Sequence, residues 1–567
     1  MAEKTGHFAI IEQFLAEGMN YMFGNPGTVE QGFLDSMAEY PELKYFLTLQ
    51  ESVAVLVADG YARASGKPAL VQIHSSPGLG NAIGALYQAK RGHSPLVVVS
   101  GDAGVKYQAL DAQMAADLVA MAEPVTKWAT MVTDPSSLLR VLRRAVKVAL
   151  TPPRGPVYVC LPQDMLDAPA VEDVQPASMP STRVVPDGAW LRTAAELLAA
   201  ARTPMILVGD GIAASGAQGE LTRVAELLGA EVWEADAGEV NMSRAHPLYQ
   251  GATGHMFASQ SRPITTKGDA YLVCGTYLLP EVFPELGPIF APGAKVVHVD
   301  LDPSAIAKNH PVDLGAVSDP KLTLDSLAST LDHILSPEQR QAAATRAGEI
   351  GAAKATREAS AAAGFASQRD RVPMHFSQFM EELSGRLPND AVIFDEALTN
   401  SPAIGHFRPA EPGNHLLTRG GSLGVGIPGA IGVKVAHPER EVWGFTGDGG
   451  AMYTIQALWS AARHGVGAKF VVCNNRSYRL LQANISAYWA ERDVAPHPFP
   501  LSFDLSNPAI RFDELARSMG VEAARVEHPD EIGTAIDKAL SHDGPFLLDV
   551  VVEGDVHPDL IGVRCGQ

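Results

Sequence analysis

The hydrophobic pattern of the chain alternates between two periods. Short apolar runs rich in β-branched residues, such as residues 69–73 and 96–100, are separated by longer Ala- and Leu-rich stretches with helical spacing. This alternation is typical of βαβ units, in which a helix connects two parallel strands. We therefore expect an α/β protein built from doubly wound parallel sheets.

Three blocks of this pattern are separated by segments of different composition. Residues 167–186 are rich in Pro, Val, Asp and Ser without helical periodicity, which favours a linker. Residues 336–372 are rich in Ala, Arg and Glu with little apolar stripe, which favours an exposed linking helix. The predicted domains are 1–166, 187–335 and 372–553, each with a doubly wound parallel sheet, followed by a C-terminal tail over 554–567.

Charge and cysteine usage narrow the class of protein. The 567 residues carry a net charge of −20, which argues against a nucleic acid or an anionic membrane as the main partner. The four cysteines are far apart and form no CxxC pair, so a reducing compartment fits best. The polar N-terminus lacks the apolar core of a signal peptide, and we predict a cytoplasmic protein.

A glycine-rich turn follows the strand predicted over residues 442–446. It reads Gly447, Asp448, Gly449 and Gly450. Backbone N–H groups at such a turn can approach a phosphate, while the Asp448 carboxylate supplies a hard oxygen ligand for Mg²⁺. Taken alone, the motif is more typical of an ordinary tight turn.

An asparagine pair ends the next predicted strand. The carboxamide of Asn475 and a carbonyl near Ser477 can complete the oxygen shell of the same ion, because parallel strands end at one edge of a sheet. The glycine turn and the asparagine pair together resemble the signature of proteins that bind thiamine diphosphate (ThDP) and Mg²⁺.

A glutamate near the start of the chain supports this interpretation. ThDP chemistry needs a carboxylate that promotes the imino form of the aminopyrimidine. Glu51 stands at a predicted strand-to-helix transition, about where this enzyme superfamily places that glutamate. The alternative is a charge that stabilises the helix N-terminus.

The whole chain resembles the pyruvate oxidase, acetolactate synthase and benzoylformate decarboxylase group. That resemblance implies pyrimidine-binding, middle and diphosphate-binding domains in this order. The first domain looks most like benzoylformate decarboxylase, and the segments that carry this likeness are residues 23–28 (FGNPGT), 49–51 (LQE), 58–62 (ADGYA) and 74–81 (HSSPGLGN).

The resemblance also implies site residues. Thr28 takes the position of a substrate-contacting residue and His74 that of a proton-relaying histidine, whose ordinary pKa near 6.5 suits that task. A structural histidine is the alternative for His74. The cofactor contacts that the resemblance implies, besides Glu51 and the glycine turn, are Asn81, Thr399, Gly421, Leu423 and Asn475, with Asp448, Asn475 and Ser477 on the metal.

Three departures from the group's pattern bear on the reaction. Residues 276–283 contain no second active-site histidine, with His255 as a nearby substitute. Leu480 and Leu481 stand where some relatives have a glutamate, and Met114 lies near the place of a glutamine usual in acetolactate synthases. These apolar residues favour a substrate with an uncharged side chain.

The leading hypothesis is non-oxidative decarboxylation of a 2-oxo acid of the benzoylformate type. The alternatives are a 2-hydroxyacyl-CoA lyase or acyloin-forming carboligase, then an acetolactate synthase, and finally an inactive subunit of the same fold. Gly209-Asp210-Gly211 is compatible with a nucleotide site or an ordinary turn, and no flavin is predicted. The resemblance implies a homo-oligomer, a dimer of dimers, with active sites between subunits and a small-molecule substrate.

Overall fold

The computed structural model describes residues 4–235, 237–279 and 281–566. Residues 1–3 of the predicted first domain, residue 236, residue 280 and the last residue of the predicted tail lie outside this range. The described chain contains three six-stranded sheets, and every strand pair within them is parallel. The predicted fold class, α/β with three doubly wound parallel sheets, is confirmed.

The first sheet has the strand order β2-β1-β3-β4-β6-β5. Its strands are β1 (Tyr21–Gly24), β2 (Lys44–Leu47), β3 (Ala69–His74), β4 (Leu96–Asp102), β5 (Trp128–Met131) and β6 (Val157–Pro162). Its helices are α1 (Gly6–Ala16), α2 (Gln31–Ser36), α3 (Glu51–Ser65), α4 (Ser75–Arg91), α5 (Leu118–Ala122), α6 (Leu138–Leu150) and α7 (Gln163–Asp167).

The second sheet has the order β12-β11-β10-β7-β8-β9. Its strands are β7 (Pro204–Val208), β8 (Glu231–Glu234), β9 (Tyr249–Ala252), β10 (Ala270–Cys274), β11 (Lys295–Asp300) and β12 (Leu314–Val317). Its helices are α8 (Gly188–Ala199), α9 (Gly211–Ser215), α10 (Gln218–Leu228), α11 (Ala258–Thr265) and α12 (Pro320–Ile334), and the 30-residue helix α13 (Pro337–Ala366) then leads to the third sheet.

The third sheet has the order β14-β13-β15-β16-β18-β17. Its strands are β13 (Val392–Glu396), β14 (His415–Leu417), β15 (Val442–Gly447), β16 (Lys469–Asn474), β17 (Glu522–Val526) and β18 (Phe546–Val551). Its helices are α14 (Phe376–Ser384), α15 (Ser401–Phe407), α16 (Gly426–Ala436), α17 (Asp448–Ala451), α18 (Ala457–Arg463), α19 (Arg479–Glu491), α20 (Phe512–Ser518) and α21 (Ile532–Ser541).

Helices α3 and α16 join the first and third sheets into one apolar core. A Cβ atom on Gly60 would lie 2.2 Å from the carbonyl oxygen of Gly429, and one on Gly432 would lie 2.0 Å from that of Val57. Real Cβ atoms do not approach so closely, so the two backbones can touch only because glycine stands at these positions. The glycines therefore fix the spacing of the two domains.

The C-terminal tail folds back onto the second and third sheets. Arg244 Nη1 donates to the Gly566 carbonyl at 2.8 Å, and Gln260 Nε2 donates to the Ile561 carbonyl at 2.8 Å. The Gly562 amide donates to Asn484 on α19 at 2.9 Å. Within the described ranges, no helix is both long enough and apolar enough to cross a membrane.

Candidate active site

Glu51 is the first residue of α3 and is buried, with its carboxylate between two asparagines. Asn25 Nδ2 donates to Oε1 at 3.1 Å, and Asn81 Nδ2 donates to Oε2 at 2.9 Å. A Cβ atom on Gly78 would lie 3.2 Å from Oε1, so α4 packs directly against this carboxylate. Neither asparagine carries a charge, so the negative charge of the carboxylate remains available to a cationic or protonated group.

His74 ends β3 and is held by a second carboxylate. Its Nδ1 lies 2.9 Å from Oε2 of Glu30, whose other oxygen accepts the Gly101 amide at 2.8 Å. Burial raises the pKa of Glu30, although the His74 ring opposes that shift. A Cβ atom on Gly27 would lie 2.0 Å from His74 Cγ, so the loop leaves room for the ring only with glycine there. The contact between Glu30 and Nδ1 fixes the orientation of the His74 ring, and Nε2 is the ring's other nitrogen that can exchange a proton.

Thr28 and Asn81 lie at the same edge of the first sheet. Thr28 begins a 3₁₀ turn over Thr28–Glu30 and is exposed, while its neighbour Glu30 is buried. Asn81 is exposed on α4 and reaches Glu51 as described. The Met114 carbonyl accepts the Ser76 hydroxyl at 2.7 Å, which pins the loop carrying Met114 next to the start of α4.

Asp448 is the first residue of α17 and is buried. Its Oδ1 accepts the Gly449 amide at 2.8 Å, whereas its Oδ2 has no hydrogen-bond partner among the described residues. Burial raises the pKa of Asp448 to about 6, and the amides of Gly449, Arg476 and Ser477 oppose the shift. A buried oxygen without a donor is costly, and a cation is the ligand that removes this cost.

The turn after β16 brings Asn475 and Ser477 to the same edge as Asp448. Register between β15 and β16 pairs Gly447 with Cys473, so the two strands end side by side. The Ser477 amide donates to Asn475 Oδ1 at 3.0 Å, which orients the carboxamide. An amide oxygen has a second lone pair for another contact.

Glu396 shapes the loop that contains Gly421 and Leu423. It ends β13, is buried, and accepts the amides of Gly424 and, at 2.7 Å, Gly426. Burial raises the pKa of Glu396 to about 7, and the loop amides oppose this shift. Leu423 is half-buried and Gly421 is exposed, with a left-handed φ of +75° that suits glycine.

Thr399 is buried beside the guanidinium of Arg479. Arg479 Nε donates to Thr399 Oγ1 at 3.0 Å and Nη2 donates to Asn400 Oδ1 at 2.9 Å. The charge of Arg479 is balanced by Glu553, at 2.6 Å. Because the Thr399 oxygen accepts from the guanidinium, its hydroxyl hydrogen points elsewhere and can serve an anion.

The group of residues around Glu51 and the group around Asp448 lie on opposite sides of the folded chain. The Leu47 amide, at the carboxyl end of β2, donates to His464 Nε2 at 2.9 Å, and His464 precedes β16. Gln88, near the end of α4, donates to the Thr418 hydroxyl at 3.4 Å, just after β14. The carboxyl edge of the first sheet thus meets the amino edge of the third sheet. On the opposite side, the amino edge of the first sheet meets the carboxyl edge of the third.

Four residues that the sequence analysis did not single out complete these groups. Glu396 comes shortly after the apolar run of residues 391–394, so the rule that sites lie at strand ends was the available signal for it. Asn25 lies inside a segment that carried the resemblance. Glu30 and Arg479 had no such signal, because their partners are 44 and 80 residues away in sequence.

Three family models match successive parts of the chain. They are described as thiamine pyrophosphate enzyme, N-terminal TPP binding domain (residues 4–121), central domain (191–327) and C-terminal TPP binding domain (399–550). The chain belongs to the thiamine pyrophosphate enzyme family, as the sequence analysis predicted, and thiamine pyrophosphate is the diphosphate called ThDP above.

Known relatives cover the chain almost completely. Benzoylformate decarboxylase of Pseudomonas aeruginosa is 31% identical over 96% of this chain and 98% of its own length. A probable acetolactate synthase large subunit of Methanococcus aeolicus is 28% identical over 97% and 92%. The solved structure of a Rhodococcus jostii ThDP-dependent 4-hydroxybenzoylformate decarboxylase superposes with a TM-score of 0.83 at 26% identity, over 97% of this chain and 99% of that one.

Proposed function

We propose that this protein is a ThDP- and Mg²⁺-dependent decarboxylase of 2-oxo acids with an aromatic or branched apolar side chain. The observation that carries the proposal is the His74–Glu30 pair on the edge that also holds Glu51. Helix α4 connects the two, since His74 precedes its first turn and Asn81 contacts Glu51. The same helix therefore positions both groups at one edge of the first sheet.

The chain's own residues divide the chemistry of the reaction. When bound, ThDP supplies a carbanion and an electron sink for the bond to the carboxylate. Glu51 would accept a hydrogen bond from the pyrimidine, and the two asparagines hold the Glu51 carboxylate oxygens in place. His74 delivers a proton from Nε2 to the carbon that has lost CO₂, while Glu30 stabilises the protonated ring at Nδ1.

The third domain supports a diphosphate and a magnesium ion. The free Oδ2 of Asp448 is a hard, buried oxygen, and the Asn475 carboxamide stands at the end of the neighbouring strand. These donors fit Mg²⁺, with Ser477 as the third ligand. The Thr399 hydroxyl and the amides of the glycine turn would hold the phosphate oxygens, and Leu423 would support the thiazolium side.

Apolar groups favour an uncharged side chain on the substrate. Met114 has a left-handed backbone, at φ +68°, and its carbonyl accepts the hydroxyls of Ser75 and Ser76, the two residues that follow His74. Leu481, on α19 of the other half-site, is 44% exposed and thus available for contact. An aromatic or branched side chain would bury these surfaces, whereas a charged one would not.

A second copy of this chain would complete each site. The Glu51 group and the Asp448 group face away from each other within one chain, so the two halves meet only across a subunit interface. Exposed apolar side chains flank both edges, with Leu49 and Leu110 on the first domain and Tyr453 and Leu501 on the third. Apolar side chains in such numbers at two edges are typical of an interface between copies.

Substrate turnover tests the proposal directly. Purified protein, reconstituted with ThDP and Mg²⁺, is given benzoylformate, a branched 2-oxo acid, pyruvate and a 2-hydroxyacyl-CoA. We expect CO₂ and aldehyde from the first two, with kcat/KM at least about tenfold above that for pyruvate, because an apolar side chain gains roughly 1–3 kcal/mol in such a pocket. Acetolactate from pyruvate as the main product would favour the synthase, and thioester cleavage without CO₂ from any 2-oxo acid would favour the lyase.

Complementation between two inactive variants tests the shared site. The Glu51→Gln and Asp448→Asn variants are mixed in equal amounts and allowed to exchange subunits. A mixed dimer contains one site with both native residues, so about a quarter of the wild-type activity returns when exchange is random. Each variant mixed with itself is the control, and a mixture that stays inactive although mixed dimers have formed would contradict the arrangement.

A further inference from the structure

A cavity lies at the amino edge of the third sheet, opposite to the edge that holds Asp448. It measures about 590 Å³ and is formed between the first and third domains. Its lining includes Lys44 on β2, Lys434 on α16 and Lys469 at the start of β16. Lys469 and Asn474 stand at opposite ends of β16, so about 17 Å of strand separates the cavity from the proposed metal site.

The charges around this cavity are not balanced. Three lysine ammonium groups line it, against the carboxylates of Glu441 and Asp543. Burial lowers the pKa of Lys469, the Glu441 carboxylate opposes this shift, and the Lys434 ammonium adds to it. The two ammonium groups are thus close enough to repel each other while they share one carboxylate.

The hydrogen bonds of these lysines leave donors unused. Lys469 Nζ donates to the carbonyls of His542 and Gly544, and Lys434 Nζ donates to the carbonyl of Arg440. An ammonium group has three donors and carbonyls bring no negative charge, so these contacts orient the lysines without neutralising them. In a chain of net charge −20, such a positive cavity is a local exception.

We propose that this cavity binds a small dianion, a phosphorylated or dicarboxylic metabolite, between the first and third domains. Its volume suits an organic molecule rather than a bare ion, since ligand cavities measure roughly 300–1,000 Å³. Lys44 and Lys434 contact the anionic groups from the two domains. The buried ammonium group of Lys469 adds positive electrostatic potential to the cavity. The proposed site does not depend on which reaction the enzyme catalyses.

The domain contact beside the cavity gives the ligand a structural role. His464 lines the cavity, stacks on Phe46 with ring centroids 4.0 Å apart and accepts the Leu47 amide. Burial lowers the pKa of this ring, which favours its neutral form. A dianion that bridges Lys44 and Lys434 therefore strengthens the contact between the first and third domains that His464 already makes.

Calorimetry with inorganic phosphate and with succinate tests the proposal. The holoenzyme is used, saturated with ThDP and Mg²⁺ so that its diphosphate site is filled, at constant ionic strength because surface charges are screened by salt. We expect one site per chain for at least one probe, with phosphate alone indicating a phosphoryl ligand and succinate alone a dicarboxylate. The Lys44→Gln/Lys434→Gln variant should bind that probe at least about tenfold more weakly, since charge-assisted bonds are lost.

Matched variants keep the test decisive. Lys538→Gln removes an exposed lysine of the third domain that does not line the cavity, and it should bind as the wild type does. Lys434→Arg in the Lys44 wild-type background should retain binding, and kcat without added anion should be unchanged in all variants. Equal binding in wild type and double variant, or no binding of either probe up to about 10 mM, would overturn the proposal.

Discussion

Decarboxylation by the Glu51→Gln variant should be slower than that of the wild type by a factor of about 10³, as is typical for loss of a proton-transfer group. Glutamine preserves the shape of the side chain but cannot carry the negative charge that the pyrimidine needs. The asparagine that faces Oε1 can still donate to the amide oxygen, so the fold is kept. CO₂ release at saturating cofactor measures the loss.

Cofactor affinity separates a chemical role of Glu51 from a structural one. We expect the Kd for ThDP, measured by fluorescence quenching, to change by less than about tenfold, because one hydrogen bond is weakened and the remaining contacts persist. Glu39→Gln is the matched control, an exposed glutamate in the same domain. A Glu51→Gln enzyme with more than a tenth of wild-type activity would rule out the role proposed for this carboxylate.

The Asp448→Asn variant should lose cofactor binding rather than turnover alone. The amide has no charge and presents one oxygen, so we expect the Kd for ThDP in millimolar Mg²⁺ to rise at least about 100-fold, as even partners of metal ligands contribute 10- to 100-fold. Titration of the apoenzyme with ThDP at several Mg²⁺ concentrations measures this effect. The affinity should recover in part at higher Mg²⁺.

Thermal unfolding of the apoenzyme provides the contrasting readout. Oδ2 of Asp448 is buried with no donor among the described residues, and burial raises the pKa of this carboxyl. Removing its charge therefore costs the apo fold little, and Tm without cofactor should stay equal or rise. Asp390→Asn, exposed in the same domain, serves as the control. A large drop in the Tm of the apo Asp448→Asn variant would indicate a structural role instead.

Sequence pattern was sufficient for the parts of the fold that depend on local periodicity. The apolar runs 69–73 and 96–100 lie in the strands Ala69–His74 and Leu96–Asp102, and the strand predicted over residues 442–446 is observed as Val442–Gly447. The glycine turn and the asparagine pair follow neighbouring strands, so their proximity follows from the rule for parallel sheets.

Contacts between distant segments were outside the reach of that reasoning. Asn25 and Glu51 meet because β1 and α3 are adjacent in space, and Arg479 reaches Thr399 across 80 residues. Such pairs depend on side-chain direction at strand ends, which periodicity does not encode. The close contact of Gly60 with Gly429 likewise depends on tertiary packing, since each glycine alone is only a weak point in a helix.

The opposed orientation of the first and third sheets has a consequence for how the enzyme assembles. In the shared site proposed above, one chain would hold the pyrimidine of ThDP and the other chain its diphosphate, so each cofactor molecule would act as a bridge. A ligand that binds only the associated form shifts the equilibrium toward association. By mass action, this gain in free energy equals the gain that association gives to ligand binding. Dilution should therefore release cofactor as it separates the chains, and a surplus of ThDP should hold the pair together.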